Sequence, residues 1–246
     1  MDRILTAVDI AKAYGDKQVL NDINISLYEG ELVSILGVSG VGKTTLFNVL
    51  SGLLVPDSGR VLLNETEDIT GETGHLSYML QKDLLLPHKT VIENAALPLL
   101  LNGVPKKEAL ARAGDYFEGF GLSGNEKKYP SELSGGMRQR AALLRTYLCG
   151  KKVALLDEPF SALDTLTRSS MQQWYLDVMK DIRLSTLFIT HDMDEAILLS
   201  DRIYIMKGSP AMISGEITVD AEKTRSSEFM LTDEFLDYKR RLREML

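Results

Sequence analysis

The stretch Gly37-Val38-Ser39-Gly40-Val41-Gly42-Lys43-Thr44-Thr45 decides the fold, because it fits the pattern G-x-x-x-x-G-K-[ST] of a phosphate-binding loop. The run from Glu31 to Leu36 before it is apolar enough for a strand, and Leu46 to Leu50 carries apolar residues at helical spacing. A strand, this loop and a helix, in that order, are the context that the motif requires. The sequence therefore predicts a site for a nucleoside triphosphate.

The residue types of this loop suit a phosphate group. Glycines let the backbone N–H groups turn toward phosphate oxygens, and the following helix presents its positive N-terminal end to the same charge. Lys43 adds a full positive charge, and Thr44 supplies a hydroxyl for Mg²⁺. The predicted nucleotide contacts of the loop are Gly37, Ser39, Gly40, Val41, Gly42, Lys43, Thr44 and Thr45.

Composition narrows the class of protein. The chain has 246 residues, of which 44% are hydrophobic and 26% charged, as in an ordinary globular protein. Its net charge of -7 argues against general nucleic-acid binding, which needs a cationic face. The single cysteine, Cys149, cannot form an internal disulfide and is expected to pack in the core. No stretch reaches the ~18 apolar residues of a membrane-spanning helix.

The pattern of apolar residues predicts an α/β fold. Ile4 to Ile10 and Ile23 to Tyr28 alternate apolar with polar residues, as antiparallel strands do, whereas strand and helix patterns alternate after Lys152. We expect a single domain: a P-loop ATPase core with a largely parallel sheet (1–81 and 151–246), an N-terminal antiparallel β region and an inserted α-helical subdomain (82–150). Predicted helices run from Val91 to Leu101, Lys106 to Phe117, Gly136 to Leu148, Leu166 to Ile182, Met193 to Leu199 and Glu228 to Met245.

Two carboxylates end a strand downstream of the phosphate loop. The segment Val153-Ala154-Leu155-Leu156-Asp157-Glu158 is typical of a Walker B strand. Asp157 can reach a Mg²⁺ ion, and Glu158 can polarise the water that attacks the γ-phosphate. Solvated acids at an ordinary strand end are the alternative, but the phosphate loop upstream favours the catalytic interpretation.

A second glycine-containing run points to a known family. Leu133-Ser134-Gly135-Gly136-Met137-Arg138-Gln139-Arg140 opens a helix whose N-terminal N–H groups could also meet phosphate. Together with Asp157-Glu158-Pro159-Phe160-Ser161-Ala162-Leu163-Asp164, it resembles the ATP-binding subunits of ABC transporters over essentially the whole chain. The resemblance implies a homodimer in which one copy's phosphate loop and the other copy's Ser134, Gly135 and Gly136 enclose each ATP. Asp164 then belongs to the loop that crosses the dimer interface.

The resemblance also assigns three side chains outside these motifs. From the residues alone, Tyr14 could pack in a turn or stack on a purine, and the resemblance favours stacking on adenine. Gln81 matches a glutamine at the Mg²⁺ and the attacking water, and His191 matches a histidine that contacts the γ-phosphate. The implied catalytic residues are Glu158, His191 and Gln81, and the implied Mg²⁺ ligands are Thr44, Gln81 and Asp157. His75 and His88 match nothing and are interpreted as surface histidines.

The implied function is an ATPase that couples ATP hydrolysis to transport through separate transmembrane permease subunits, at the cytoplasmic face of the plasma membrane. The segment Gln81 to Asn94 is similar to that of bacterial importers of nitrate, sulfonate, taurine and thiamine precursors, which predicts a small polar solute and an extracytoplasmic solute-binding protein. Within it, the run Leu84-Leu85-Leu86-Pro87 is expected to border a groove for a permease helix, with the contact made by Leu85 or Leu86, whichever is exposed; ordinary packing of the insert is the alternative. Alternatives are an ABC ATPase of a division or lipoprotein-release complex, or a nucleic-acid-linked ABC ATPase.

Overall fold

A computed structural model describes residues 2–220 and 228–246. Its strands form one ten-stranded sheet. They are β1 (Arg3–Tyr14), β2 (Lys17–Tyr28), β3 (Leu32–Leu36), β4 (Ser58–Leu63), β5 (Glu67–Asp68), β6 (Ser77–Met79), β7 (Val153–Asp157), β8 (Ser185–Thr190), β9 (Arg202–Gly208) and β10 (Ala211–Thr218). The strand order is β5-β4-β1-β2-β10-β9-β3-β8-β7-β6.

Helices cover the sheet and form the insert. They are α1 (Lys43–Leu50), α2 (Val91–Ala95), α3 (Leu97–Leu101), α4 (Lys106–Gly114), α5 (Gly135–Tyr147), α6 (Thr165–Ile182), α7 (Met193–Leu199) and α8 (Asp233–Met245), with 3₁₀ turns at Pro130–Glu132 and Phe229–Leu231. Within the two described ranges, every helix is too short or too polar to cross a membrane.

The parallel strands bring the functional segments to one edge of the sheet. β3 pairs with β8 and β9, and β7 pairs with β6 and β8, all in parallel. Every residue of β3, β7 and β8 is buried, as expected for strands covered on both faces. Leu36 lies opposite Thr190, and Asp157 lies opposite Ile189. The segments that follow these strands therefore begin side by side, which is where ligands bind in open α/β sheets.

The antiparallel region is confirmed, and it extends further than predicted. β1 and β2 have 12 residues each and pair from Arg3–Tyr28 to Tyr14–Lys17. Their pairing is interrupted where Asp9 adopts a φ of 52°. Such an irregularity breaks the strict alternation of apolar residues, so the pattern alone ended the first strand at Ile10.

The predicted helix from Val91 to Leu101 is two short helices. Proline has no N–H group, so Pro98 cannot donate to the carbonyl of Asn94, and α2 ends at Ala95. The predicted terminal helix is also shorter at its start. The side chain of Thr232 accepts a hydrogen bond from the N–H of Phe235 and caps α8, so the helix proper begins at Asp233.

The apolar run after Gln81 differs from the expectation. Leu85 is buried, with 7% of its surface exposed, and belongs to the core that joins the insert to the sheet. Leu84 is 51% exposed, with a φ of 44°. Arg145 holds this turn, because its guanidinium donates to the carbonyls of Asp83 at 2.5 Å and Leu84 at 2.8 Å. Of the two leucines expected at a partner contact, Leu85 is therefore core and Leu86 is half-buried, and the exposed leucine of the run is Leu84.

Candidate nucleotide-hydrolysis site

The phosphate loop joins β3 to α1 in a conformation that favours glycine at Gly37, Gly40 and Gly42. Gly42 has a φ of 121°, which L side chains rarely adopt. A Cβ on Gly37 would lie 2.5 Å from the carbonyl oxygen of Met206, so the backbone approach there is too close for a side chain. Ser39 and Gly40 are exposed, Val41 donates to the carbonyl of Val38 at 3.3 Å, and Thr45 lies in the first turn of α1.

Lys43 lies folded along its own loop. Its Nζ donates to the carbonyls of Gly37 at 2.7 Å and Val38 at 3.0 Å. Burial lowers the pKa of this ammonium group, while the nearby Glu158 and Asp157 raise it. An ammonium held in the loop beside N–H groups at a helix start gives the loop the charge needed to bind phosphate.

Thr44 and Asp157 form an oxygen pair beside the loop. The Thr44 hydroxyl donates to Oδ2 of Asp157 at 3.2 Å. Asp157 is buried at the end of β7, and burial raises its pKa, with a further contribution from the charge of Glu158 and an opposing one from Thr44. Ionising this carboxyl would be easier with a cation beside it. A hydroxyl and a carboxylate facing each other are the hard oxygen donors that Mg²⁺ takes.

Glu158 is held from two sides. Its Oε2 accepts a hydrogen bond from Nε2 of Gln81 at 3.1 Å, and its Oε1 lies 3.2 Å from Nδ1 of His191. The Glu158 backbone has a φ of 45°, an uncommon conformation for a residue with a side chain. Gln81 and His191 lie far from Glu158 in sequence and meet it because they follow β6 and β8, the two neighbours of β7.

The glycine-containing run lies at the start of α5, as predicted. Oγ of Ser134 accepts from the N–H of Met137 at 3.3 Å and caps the helix. Cβ atoms on Gly135 and Gly136 would lie 3.4 Å from Leu163 and 3.1 Å from Thr167, so this end of α5 packs on the start of α6.

Asp164 and Tyr14 complete the predicted set. Asp164 caps α6, because its Oδ1 accepts from the N–H of Thr167 at 3.1 Å, and these contacts with Thr167 lower its pKa. Tyr14 ends β1 with 51% of its surface exposed, so its ring is available to a ligand. The structure thus brings together Thr44 with Asp157, and Gln81 and His191 with Glu158. Among the described residues, the hydrogen bonds of Ser134 and Asp164 are helix caps and join neither group.

Sequence reasoning missed a polar cluster next to His191. Asp192 caps α7 through hydrogen bonds from the N–H groups of Asp194 at 2.8 Å and Glu195 at 3.2 Å. Glu195 is buried and accepts from the Thr190 hydroxyl. An aspartate directly before a predicted helix is a capping signal that was present in the sequence. Nothing in the sequence pattern pointed to the burial of Glu195.

Comparison with known proteins identifies the family. The family model described as ABC transporter matches residues 20–161, more than half of the chain. The chain belongs to the ABC transporter family. This ABC protein is an ATPase, as the phosphate loop and the carboxylate pair predicted, and the predicted family resemblance is confirmed.

Its relatives include ATP-binding proteins of importers. It is 41% identical over 226 residues to the formylaminopyrimidine import ATP-binding protein ThiZ of Halalkalibacterium halodurans, covering 92% of this chain and 88% of that one. It is 35% identical over 238 residues to the nitrate import ATP-binding protein NrtD of Synechocystis sp., covering 94% and 89%.

Solved cassettes share its fold. The dimeric structure of MJ0796, described as a bacterial ABC transporter cassette, has a TM-score of 0.75 and 26% identity, covering 88% of this chain and 99% of that one. The same cassette in a post-hydrolysis state bound to ADP and Pi has a TM-score of 0.73. The predicted α/β fold with a P-loop ATPase core is confirmed.

Proposed function

We propose that this ABC ATPase powers the import of a small polar solute. The observation that carries the proposal is 41% identity, across 92% of the chain, to a protein named for formylaminopyrimidine import. The relation to a nitrate import protein supports the same class of solute. No comparable observation favours an ATPase of a division or lipoprotein-release complex. None favours a nucleic-acid-linked ATPase either, and the net charge of -7 argues against nucleic-acid binding.

In the proposed chemistry, Glu158 takes the proton of the attacking water. Gln81 and His191 hold its carboxylate oxygens, so the base is oriented before ATP arrives. Lys43 and the N–H groups of residues 37–45 bind the phosphates, and Tyr14 stacks on adenine. Thr44, Asp157 and Gln81 would hold Mg²⁺, which supplies positive charge to the phosphate oxygens when it is bound.

The proposed active form is a homodimer. Ser134 is exposed at the N-terminal end of α5, Gly135 is half-buried and Gly136 is buried. The N–H groups at this helix start suit a phosphate, but they belong to a different part of the chain from the phosphate loop. A second copy brings this end of α5 to the ATP bound by the first, and Asp164 lies at the interface between them. The dimeric structure of the similar cassette MJ0796 supports this arrangement.

The proposed complex includes transmembrane permease subunits and an extracytoplasmic solute-binding protein, with this subunit at the cytoplasmic face of the membrane. A cavity of about 510 Å³ lies between the insert and the sheet, and its lining includes two aromatic rings, four cations and two carboxylates: Tyr116, Tyr147, Arg112, Lys151, Lys152, Arg183, Glu29 and Asp115. Its rings and its excess of cations suit a permease segment that carries an apolar side chain beside a carboxylate. The exposed Leu84 lies on the same insert and adds apolar contact area.

Purification of the tagged full chain from native membranes tests the importer assignment. A permease and a solute-binding protein should be recovered with it, and formylaminopyrimidine or nitrate, added separately, should raise the melting temperature of the solute-binding protein. Recovery of division or lipoprotein-release components instead, with no solute-binding protein, would contradict the assignment.

A further inference from the structure

One arginine contacts two loops of the hydrolysis site at once. Arg168 lies in the first turn of α6, and its Nη2 donates to the carbonyl of Leu163 at 3.0 Å. Its Nη1 lies 3.7 Å from Oδ2 of Asp192. Leu163 directly precedes Asp164, and Asp192 directly follows His191. A single guanidinium therefore joins the loop assigned to the dimer interface to the loop that carries the histidine.

Asp192 is held by hydrogen bonds to residues before and after it in the chain. Its Oδ1 accepts hydrogen bonds from the N–H groups of Asp194 and Glu195, at 2.8 and 3.2 Å. Its own N–H donates to Oγ1 of Thr190 at 3.0 Å. Since Thr190 and Asp192 flank His191 in the chain, a displacement of Asp192 displaces the histidine as well.

Glu158 closes this set of contacts into a ring. Its carbonyl accepts from the N–H of Ser161 at 3.2 Å and from the Ser161 hydroxyl at 3.0 Å. Its side chain faces Nδ1 of His191 at 3.2 Å. The ring runs from Glu158 through the loop Ser161–Asp164, Arg168 and Asp192 to His191, and back to Glu158. In this ring, the side chain of Arg168 joins the loop Ser161–Asp164 to the loop of His191.

We propose that Arg168 is a positioning residue, which makes the loop Ser161–Asp164 and His191 move as one unit. Contact of this loop with a second subunit then sets the position of His191 beside Glu158, so hydrolysis follows the closing of the dimer. The inference rests on the proposed function, because the loop faces a partner only in the dimer.

Two buried polar atoms of this cluster lack a hydrogen-bond partner within the described part of the chain. Nε of Arg168 and Oε1 of Glu195 are buried without a hydrogen-bond partner among the described residues. Burial raises the pKa of the Glu195 carboxyl to about 7, and Arg168 opposes this rise, so the two groups interact electrostatically. A buried group without a hydrogen bond is unfavourable, so the contacts of Arg168 with Leu163 and Asp192 are what hold this side chain in place.

Steady-state ATPase kinetics of the full chain test the proposal. Arg168→Ala should lower kcat by about 10- to 100-fold, because the histidine loses its fixed position, and should leave KM within about twofold, because Lys43 still binds the phosphates. Asp192→Asn keeps the capping oxygen but loses the charge, so it should lower kcat in the same way. The double variant should be no slower than Arg168→Ala alone, since Arg168→Ala already removes the contact with Asp192. Lys180→Ala, a cation of the same helix paired with an exposed aspartate, is the control and should match the wild type.

Two results would overturn the proposal. One is an unchanged kcat in both single variants, and the other is an additive loss in the double variant, which would mean that the two residues act separately. If Arg168→Ala does not fold, Arg168→Lys replaces it in the same cycle, and it should retain part of the rate because it retains the charge at Asp192. Failure of the dimer proposal is distinguishable, because Gly135→Asp would then leave hydrolysis intact whatever the result at Arg168.

Discussion

The carboxylate of Glu158 is held in place by two residues that are distant from it in the sequence. Sequence reasoning assigned it to water activation because a strand ends in two acids after a phosphate loop. The structure adds that Gln81 and His191 hold its two oxygens, at 3.1 and 3.2 Å. No spacing rule relates these three residues, because their proximity depends on the order β8-β7-β6 in the sheet. Only the family resemblance could assign Gln81 and His191 beforehand.

Removal of the Glu158 charge should lower the rate of ATP hydrolysis and leave the affinity for ATP unchanged. Glu158→Gln keeps the size of the side chain but cannot take a proton, so the rate of ATP hydrolysis should fall by ~10² to 10⁴. The dissociation constant of ATP should stay near the wild-type value, because Lys43 and its loop are intact. Glu118→Gln, at an exposed position in the insert, is the matched control. Near-normal hydrolysis by Glu158→Gln would refute the assignment of the base.

The buried Glu195 should make stability depend on pH. Its folded-state pKa of about 7 lies above the ordinary value of 4.5, so the folded protein holds this proton more tightly than the unfolded chain does. The resulting stability is fully present below pH 4.5 and is lost as the pH rises through 7. Glu195→Gln cannot ionise, so relative to the wild type it should gain up to about 3 kcal/mol in unfolding free energy between pH 5 and pH 8.

Urea unfolding of both proteins at the two pH values measures this difference. The comparison between proteins removes the contribution of other groups, such as Asp157, whose pKa is also raised by burial. Parallel changes of the two unfolding free energies with pH would show that Glu195 is already ionised in the folded protein at pH 5.

The periodicity of apolar residues predicts α5 closely but does not predict the break between α2 and α3. The helix predicted from Gly136 to Leu148 is observed at Gly135–Tyr147, because Ser134 is a capping residue directly before it. The helix predicted from Val91 to Leu101 is broken, although its apolar spacing is continuous, because Pro98 removes a backbone donor. Periodicity reports which residues are buried and does not report a missing hydrogen bond.

Substitution at the start of α5 should affect the dimer and spare the single chain. The φ of Gly135 is not in the left-handed region, and a Cβ there meets Leu163 at 3.4 Å and Arg138 at 3.9 Å, which are ordinary contacts, so Gly135→Asp is tolerated by the fold. In the proposed dimer its carboxylate faces the γ-phosphate of the partner's ATP, and like charges repel strongly where water is excluded.

Hydrolysis by Gly135→Asp should therefore fall to background, with ATP binding to the single chain unchanged. Equilibrium dialysis with labelled ATP and a phosphate-release assay measure the two quantities. Gly119→Asp is the control, because its Cβ has open space at 3.9 Å from the nearest neighbour. Loss of ATP binding by the Gly135 variant would show that α5 contacts the nucleotide within one chain.

At the level of the whole molecule, the insert carries both the start of α5 and the surface proposed for the permease. The carboxyl ends of β3, β7 and β8 gather the residues proposed to bind and hydrolyse the nucleotide, whereas Leu84 and the 510 Å³ cavity lie on the insert and its boundary with the sheet. The order of elements was predictable because strand and helix patterns alternate along the chain. The burial of Leu85 was not, because three consecutive leucines have no period that separates an exposed side chain from a buried one.

Leu84→Asp should weaken assembly with the permease and leave ATP hydrolysis by the isolated subunit near normal. Leu84 is exposed, and its φ of 44° suits aspartate at least as well as leucine, so the fold is unaffected. Covering an unpaired carboxylate at an apolar contact is costly. Complex recovery and ATPase rate are measured on the same preparations, with Leu231→Asp as the control at an 89% exposed leucine. Full recovery of the Leu84→Asp complex would mean that the permease docks elsewhere.

The composite ATP site between two copies is tested most directly by the mass of Glu158→Gln in solution, measured by size-exclusion chromatography with light scattering. With ATP and Mg²⁺, the variant should have twice the mass of the 27.4 kDa chain, because each ATP joins two copies and is not hydrolysed. With ADP, or after the further change Gly135→Asp, it should have the mass of one chain. A variant that binds ATP and remains a single chain would contradict the proposed site, in which each ATP lies between two copies.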